Sequence, residues 1–346
     1  MKRFIILTLV LLLGSSKLIS QPTNIATDLS TPYRLAIHGN DLYFTQLTGN
    51  TISKIDLSTA EPLTVTSFLS GLNTPKDIMI IGNELYFTVA SKISKIDLTD
   101  TSQNIIDIAT GLNGPDGLTL YGNDLYFSTG NKVAKIDLNA TNPTVIDVAT
   151  GFETPTDLLL NDSILFVAEQ YGDKVSKMDL STSPPTVTDL VTGLGTPVGL
   201  LLHANNLYIA NFFGSSITKI SLNDATPYAT NFLTSISGPS SMVLHDNDLY
   251  FTQAWGGIIS KINFNALSIT ETSKATSISL YPNPASNYIR ISGLLYTTQY
   301  AIHSVLGTEI SQGSITNNEE IDIHQLRKGL YFLSFDNGHV FRFIKE

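Results

Sequence analysis

Six prolines divide most of this chain into units of nearly equal length. Pro32, Pro75, Pro115, Pro155, Pro197 and Pro239 stand 43, 40, 40, 42 and 42 residues apart. Each opens the same passage: two variable residues, an apolar stretch, a turn, Leu-Tyr-Phe or a close variant, a second turn, Ile-x-Lys-Ile-Asp or its equivalent, and a last apolar stretch. Such a period constrains the fold more than any local propensity, because one unit cannot bury its own apolar faces and must stack on its neighbours.

The third unit shows the local reading. Gly117 to Tyr121 is a short apolar strand, and Gly122-Asn123-Asp124 supplies turn residues that tolerate positive φ. Leu125-Tyr126-Phe127 is a second strand, Gly130-Asn131 turns again, and Val133 to Leu138 and Thr144 to Ala149 are the third and fourth. Four short antiparallel strands in about 40 residues predict a β-propeller blade. The last unit supplies only three strands, whereas Asn24 to Leu29 matches the passage Ile146 to Gly151 that precedes Pro155. The N-terminal segment is therefore expected to complete the sixth blade and close the ring, which removes two exposed sheet edges. The expected fold class is all-β: a six-bladed β-propeller followed by a small Ig-like β-sandwich.

Both ends of the chain break the repeat. Lys2 and Arg3 precede an apolar run from Phe4 to Leu13 and then Gly14-Ser15-Ser16, which predicts a signal peptide over residues 1–20. An apolar run of about ten residues is too short for a membrane-spanning helix, which takes roughly twenty. Cysteine is absent, so a lipoprotein anchor, a disulfide framework, thiolate metal ligation and a Cys nucleophile are excluded. The propeller is read over 21–266, a Ser/Thr-rich linker over 267–277, and a second β-domain of about seven strands over 278–346.

Charge narrows the partners. Residues 21–274 carry 12 basic against 24 acidic side chains, and residues 275–346 carry 5 against 6. An acidic propeller repels a phosphate backbone, so no nucleic-acid partner is expected, and the chain is read as a monomer. No Gly-x-Ser-x-Gly elbow, His-Glu-x-x-His pair or phosphate loop occurs, and no catalytic residue is assigned.

A repeat carries its own control: a position filled alike in every unit serves the blade, and one that varies is open to function. Lys54, Lys95, Lys135, Lys177, Lys219 and Lys261 share one site, and Asp56, Asp97, Asp137 and Asp179 share another. Both are read as cross-strand pairs or turn hydrogen bonds. Two positions vary. Two residues after each proline stand Arg34, Asp77, Gly117, Asp157, Gly199 and Ser241; directly after the second strand stand Gln46, Val89, Thr129, Glu169, Asn211 and Gln253. Both sets are expected near one mouth of the central channel, where the next loops bring Tyr171, Phe212, Phe213 and Trp255. Arg34, Asp77, Asp157, Glu169 and Asn211, ringed by those aromatics, form the candidate ligand site.

The Pro-x-[Asp/Gly]-Leu openings, the Leu-Tyr-Phe strands and the Ile-x-Lys-Ile-Asp strands, from Gln21 to about Ala266, resemble NHL and gluconolactonase-like (TolB-like) six-bladed propellers. The resemblance fixes architecture and leaves function open. On the favoured reading the rim binds an extracellular glycan, peptide or protein without a cofactor, Tyr171, Phe212, Phe213 and Trp255 acting as anchors. The alternative is a metal-dependent hydrolase or lyase of gluconolactonase-like type, with Asp77, Asp157, Glu169 and Asn211 as oxygen ligands to Ca²⁺ or Mg²⁺. A scaffold with no small-molecule site is the third.

In the C-terminal domain, Tyr281-Pro282-Asn283-Pro284, Lys328-Gly329-Leu330-Tyr331 and the final strand Phe341 to Glu346 stand in order. They resemble the type A sorting domain of the type IX secretion system of Bacteroidetes-like bacteria. The resemblance implies that the type IX machinery is a partner, and that the chain passes through the periplasm to be secreted or held at the outer cell surface.

Overall fold

The computed structural model describes residues 22–263, 279–292, 294, 297–304, 308–335 and 340–346. The expected signal peptide and the linker lie outside those residues. The chain divides into two compact units, with the division between Asn265 and Ala266.

The first unit is a propeller of six four-stranded antiparallel sheets. Blade one runs from the axis outward as Pro32–His38, Asp41–Gln46, Thr51–Asp56 and Val65–Leu69. Blades two to five repeat that order, opening at Pro75, Leu118, Pro155 and Pro197. Blade six takes three strands from Pro239–His245, Asp248–Gln253 and Ile258–Asn263, and its outer strand is Thr23–Ala26. Asn24 lies opposite Ser260, whose hydroxyl donates to Asn24 Oδ1 at 2.8 Å. The Leu29 N–H donates to the Gly257 carbonyl at 2.9 Å, with Gly257 at φ 63°.

Each second strand locks two blades together because successive side chains point to opposite faces of the sheet. Leu42 and Phe44, both 0% exposed, pack on Tyr250 of blade six, while Tyr43 turns the other way onto Leu85 and Phe87 of blade two. Tyr86 meets Leu125 and Phe127, Tyr126 meets Leu165 and Val167, and Phe166 meets Leu207 and Ile209. The Leu-Tyr-Phe triplet is thus a two-sided wedge. Truncating Phe44 or Phe127 to alanine would open a cavity between two blades at a cost of about 3–5 kcal/mol.

The uniform polar positions serve the blades. Lys54 pairs with Asp41 and Lys135 with Asp124, each at 2.7 Å, and Lys95 pairs with Glu84. Asp56, Asp97, Asp137 and Asp179 each accept the backbone N–H two residues on, at 2.8–2.9 Å. In blade four the acid that would face Lys177 is replaced by Ile164.

The second unit packs a three-stranded sheet (Ser279–Tyr281, Tyr288–Ser292, Glu320–Asp322) on a four-stranded one. The latter runs in the order Glu309–Ile315, Thr298–Ser304, Gly329–Phe335, Val340–Lys345. Ile289 and Ile291 of one sheet share a core with Ile302, Leu333 and Phe343 of the other, making a small β-sandwich.

Candidate functional site

The inner strands, with the residues just before that of blade three, bring Arg34, Asp77, Asp116 and Asp157 together at the propeller axis. Arg34 of blade one is 3% exposed. Its Nη1 donates to the Ser240 carbonyl of blade six at 2.6 Å, and its Nη2 to the Thr156 carbonyl of blade four at 2.9 Å. Around the same guanidinium stand Asp77 of blade two at 3.4 Å, Asp116 of blade three at 3.8 Å and Asp157 of blade four at 3.9 Å. A second cation, Lys76, reaches Asp116 at 3.1 Å. The blades approach closely enough here that a Cβ on Gly199 would stand 2.3 Å from the Ser240 carbonyl oxygen, and one on Gly117 2.7 Å from the Asp157 Cα. Glycine at those two places is a steric requirement.

The axial carboxylates also stitch blade to blade. Asp77 accepts the N–H groups of Ile78 at 2.9 Å and of Leu118, in blade three, at 2.6 Å. Asp157 does the same with Leu158 at 2.9 Å and Leu200, in blade five, at 2.7 Å. Ser241 completes the alternation by accepting the Leu35 N–H of blade one at 3.1 Å. Burial pushes the Asp77 carboxyl up to about 8 against the opposing pull of Arg34, with Asp157 adding to the rise. Burial likewise raises Asp116 and Asp157, opposed chiefly by Lys76 and Arg34 respectively. For Arg34 burial works against the charge, yet Asp157, Tyr33, Asp77 and Asp116 together hold its pKa above the ordinary value.

Glu169 and Asn211 are placed differently. Gln46, Glu169 and Gln253, each at the end of a second strand, tie two segments of their own blade. The oxygen of each accepts an N–H sixteen residues earlier: Ser30 at 2.7 Å, Glu153 at 2.8 Å and Ser237 at 3.2 Å. Seven residues later each meets a serine hydroxyl, Ser53 at 2.9 Å and Ser260 at 2.8 Å for the glutamines, and Ser176 for Glu169. Asn211 makes only the second of these bonds, donating to Thr218 Oγ1 at 3.0 Å, and its Oδ1 is buried without a partner.

These partners decide how the four expected metal ligands fit a divalent ion. Both oxygens of Asp77, Asp157 and Glu169 already accept hydrogen bonds, and a guanidinium stands between the two aspartates. Among the described residues no group of three or more His, Cys, Asp or Glu side chains is arranged to hold a metal. The set does not fit Ca²⁺ or Mg²⁺. Asp116, also at the axis, stands one position before Gly117, outside the variable column that contains Arg34, Asp77 and Asp157. Its signal was an opposite charge, Lys76, in the equivalent place of the preceding blade.

The aromatic residues form a separate surface. Phe212, Phe213 and Trp255 contact one another with ring centroids 4.9–5.4 Å apart. Phe213 and Trp255 remain 60% and 52% exposed. Trp255 sits in a single 3₁₀ turn, Ala254–Gly256, and its ring covers Gly238, where a Cβ would come within 2.9 Å of it. Tyr171 is 68% exposed and makes no ring contact with the three. A crevice of about 360 Å³ lies elsewhere, between blades four and five, with Phe166, Lys177, Leu190 and Leu222 in its walls.

In the sandwich, the Tyr281-to-Ala285 passage holds the last strand. Asn283 Oδ1 accepts the Ile344 N–H at 2.9 Å and Nδ2 donates to the Arg342 carbonyl at 3.0 Å. Ala285 exchanges backbone bonds with Ile344 and Glu346 at 2.8 and 2.9 Å. On its other side that strand pairs with Gly329–Phe335, so Gly329 faces Lys345. Tyr281 donates to Asn318 Oδ1 at 3.0 Å, Pro282 and Pro284 flank the clamping Asn283, and Lys328 precedes the paired strand.

Residues 279–345 match the family of secretion system C-terminal sorting domains. That domain implies the type IX secretion machinery as a partner and export to the cell surface or outside. No curated protein matches the sequence. The fold is similar to that of a gluconolactonase from Xanthomonas campestris (11% identity, TM-score 0.60, covering 70% of this chain and 89% of that one). It is also similar to an auxiliary nutrient binding protein from Bacteroides ovatus (10%, 0.58, 68% and 69%). A third likeness is to a catalytically inactive virginiamycin B lyase from Staphylococcus aureus (19%, 0.50, 79% and 94%). At these identities the likeness shows the architecture alone.

Proposed function

We propose that this exported propeller is a binding protein whose ligand, an extracellular glycan or peptide, stacks on the Phe212–Phe213–Trp255 surface. The observation that carries the reading is the cluster itself: three rings in mutual contact, two of them more than half exposed. Solvent-exposed apolar area of this kind costs solubility and marks interaction sites when it is contiguous. The rings hold one another in place, so little side-chain entropy is lost on binding, and their flat faces suit a sugar ring or a planar side chain. The similar fold of an auxiliary nutrient binding protein from Bacteroides ovatus supports the reading by analogy.

Little in the site favours the metal-dependent hydrolase, because three of its four expected ligands, Asp77, Asp157 and Glu169, have both oxygens committed to backbone and side-chain partners, and the fourth, Asn211, offers a single neutral oxygen. The experiment is a glycan and peptide array probed with the full-length protein, followed by fluorescence titration of each hit. Binding that survives Trp255→Ala unchanged, or no hit on either array, sinks the proposal.

A further inference from the structure

The third strand of every blade carries a lysine in the same place, and in blade four that lysine lacks its partners. We propose that the crevice it lines, between blades four and five, binds a free amino acid with a large apolar side chain.

In four other blades the acid that opens the second strand meets the lysine: Asp41 with Lys54, Glu84 with Lys95, Asp124 with Lys135 and Asp248 with Lys261. Blade four has Ile164 in that place, and Phe166 replaces the tyrosine over which Lys54, Lys95 and Lys135 lie at 5.7–5.8 Å. The Lys177 ammonium has no hydrogen-bond or ion-pair partner among the described residues, and it is the exposed member of a half-buried column. The change from the repeat leaves a cation beside newly apolar neighbours.

The molecule itself shows what such a lysine accepts. At the junction of blades six and one, Glu61, in the loop before the outer strand of blade one, reaches Lys261 at 3.2 Å. The corresponding loop of blade five faces the Lys177 crevice and has Thr226 in that position, ahead of the same proline. A carboxylate supplied by a ligand would take the place that Glu61 fills at the other junction. The crevice between blades three and four is a control: at about 330 Å³ it is of similar size, but its Lys135 is already paired with Asp124 at 2.7 Å.

The remaining walls select the rest of the ligand. Ile164, Phe166, Leu190 and Leu222 offer an apolar surface, and the volume of about 360 Å³ lies within the range of small-molecule sites. Two acids also line the crevice. Asp179 is committed, its Oδ1 accepting the Ser181 N–H at 2.9 Å and hydroxyl at 2.7 Å. The Asp224 carboxylate, on the blade-five wall, has no partner among the described residues and does not pair with Lys177. A simple carboxylic acid would leave Asp224 unmatched, and a simple amine would leave Lys177 unmatched. A zwitterion with an apolar side chain satisfies both charges by charge-assisted hydrogen bonds and covers the apolar wall. Phe212, Phe213 and Trp255 line no part of this crevice.

The test is calorimetric titration of the full-length protein with L-leucine and L-phenylalanine, and with 4-methylpentanoate and 3-methylbutylamine, which keep the leucine side chain but carry one charge each. At least one amino acid should bind saturably with Kd below about 1 mM, and the singly charged analogues about tenfold more weakly or worse. Lys177→Met and Asp224→Asn, both at exposed positions, should each weaken binding by about tenfold or more. Ile164→Asp, which restores the acid of the other blades, should do the same by pairing Lys177 internally. Thermal unfolding of each variant confirms that it is folded. Trp255→Ala should leave the affinity unchanged, which separates this site from the aromatic surface. No saturable binding of either amino acid overturns the proposal. So does binding that folded Lys177→Met and Ile164→Asp both retain, or an analogue with one charge that binds as tightly as leucine.

Discussion

Asn211 donates its side-chain amide to the Thr218 hydroxyl at 3.0 Å while its own Oδ1 stays buried and without a partner. In blades one, four and six the equivalent Gln46, Glu169 and Gln253 are one methylene longer, and their oxygens reach an N–H sixteen residues back. Asn211 is too short for that second bond. Asn211→Gln should bring an oxygen toward Gly195 and raise stability by about 1 kcal/mol, the net worth of one such bond. Chemical unfolding measures it. A lower midpoint would mean that Gly195 and Gly214, whose backbones nearly touch, leave no room for the longer side chain.

The ring-closing strand carries the second prediction. Removing residues 22–29 deletes the outer strand of blade six and bares the edge of Ile258–Asn263. An unpaired edge is a template for intermolecular pairing. Size-exclusion chromatography should show self-association, and thermal unfolding should lose its single sharp transition. Asn24→Ala, which breaks only the Ser260 contact, should cost about 1 kcal/mol and leave the protein monomeric.

Stability should fall as pH rises from about 5 to 8. The Asp77 carboxyl has a raised pKa in the folded chain, about 8, so the folded state binds the proton more tightly than the unfolded state. That contribution is complete below the unfolded value and is lost as pH climbs through the folded one. Carboxyls with lowered pKa, such as Asp56, Asp97 and Asp179, act in the opposite sense and at more acid pH. Urea midpoints at pH 5, 6.5 and 8 should therefore decline, and Asp77→Asn should flatten the slope while lowering the baseline.

Trp255 is the single tryptophan of the chain, so its emission reports on the proposed ligand surface without labelling. Ligands found on the arrays should change that emission saturably. Because the ring is 52% exposed, Trp255→Ala should alter stability by no more than about 1 kcal/mol. Loss of a central aromatic anchor should still weaken binding by roughly tenfold or more, which calorimetry can read.

For the sorting domain, Asn283→Ala removes both side-chain bonds to the last strand. Hydrogen exchange at Ile344 should accelerate by about tenfold or more, corresponding to a local loss of about 1–2 kcal/mol, while the pairing with Gly329–Phe335 stays protected. An unchanged exchange rate would show that the Ala285 backbone bonds suffice alone.

The propeller was legible because the Leu-Tyr-Phe wedge is needed at every blade interface, and a need met six times leaves a period. The axis was half legible. Arg34, Asp77 and Asp157 stood out as departures from the repeat, but their pairing did not, since spacing along a strand says nothing of which neighbours converge on an axis. Asp116 was hidden because consecutive residues at the inner edge both turn toward the centre. At the ends of the second strands the difficulty ran the other way. Gln46, Glu169 and Gln253 looked variable, and the variation concealed one geometry, because glutamine and glutamate present an oxygen at the same reach. The mutual contact of Phe212, Phe213 and Trp255 joins blades five and six across 42 residues of sequence (Phe213 to Trp255), and only folding reveals it.

The Asn24–Ser260 contact, 236 residues apart, also sets an order in time. Blades one to five are each continuous in sequence and can pair as soon as they are made. Blade six cannot, because its outer strand is made first and its three partners last. Until residue 263 is available the molecule is an open arc whose opening strand waits unpaired. Closure of the ring thus waits for the last propeller strand, and for a chain bound for export the edge that Thr23–Ala26 covers stays open until the whole propeller sequence is available.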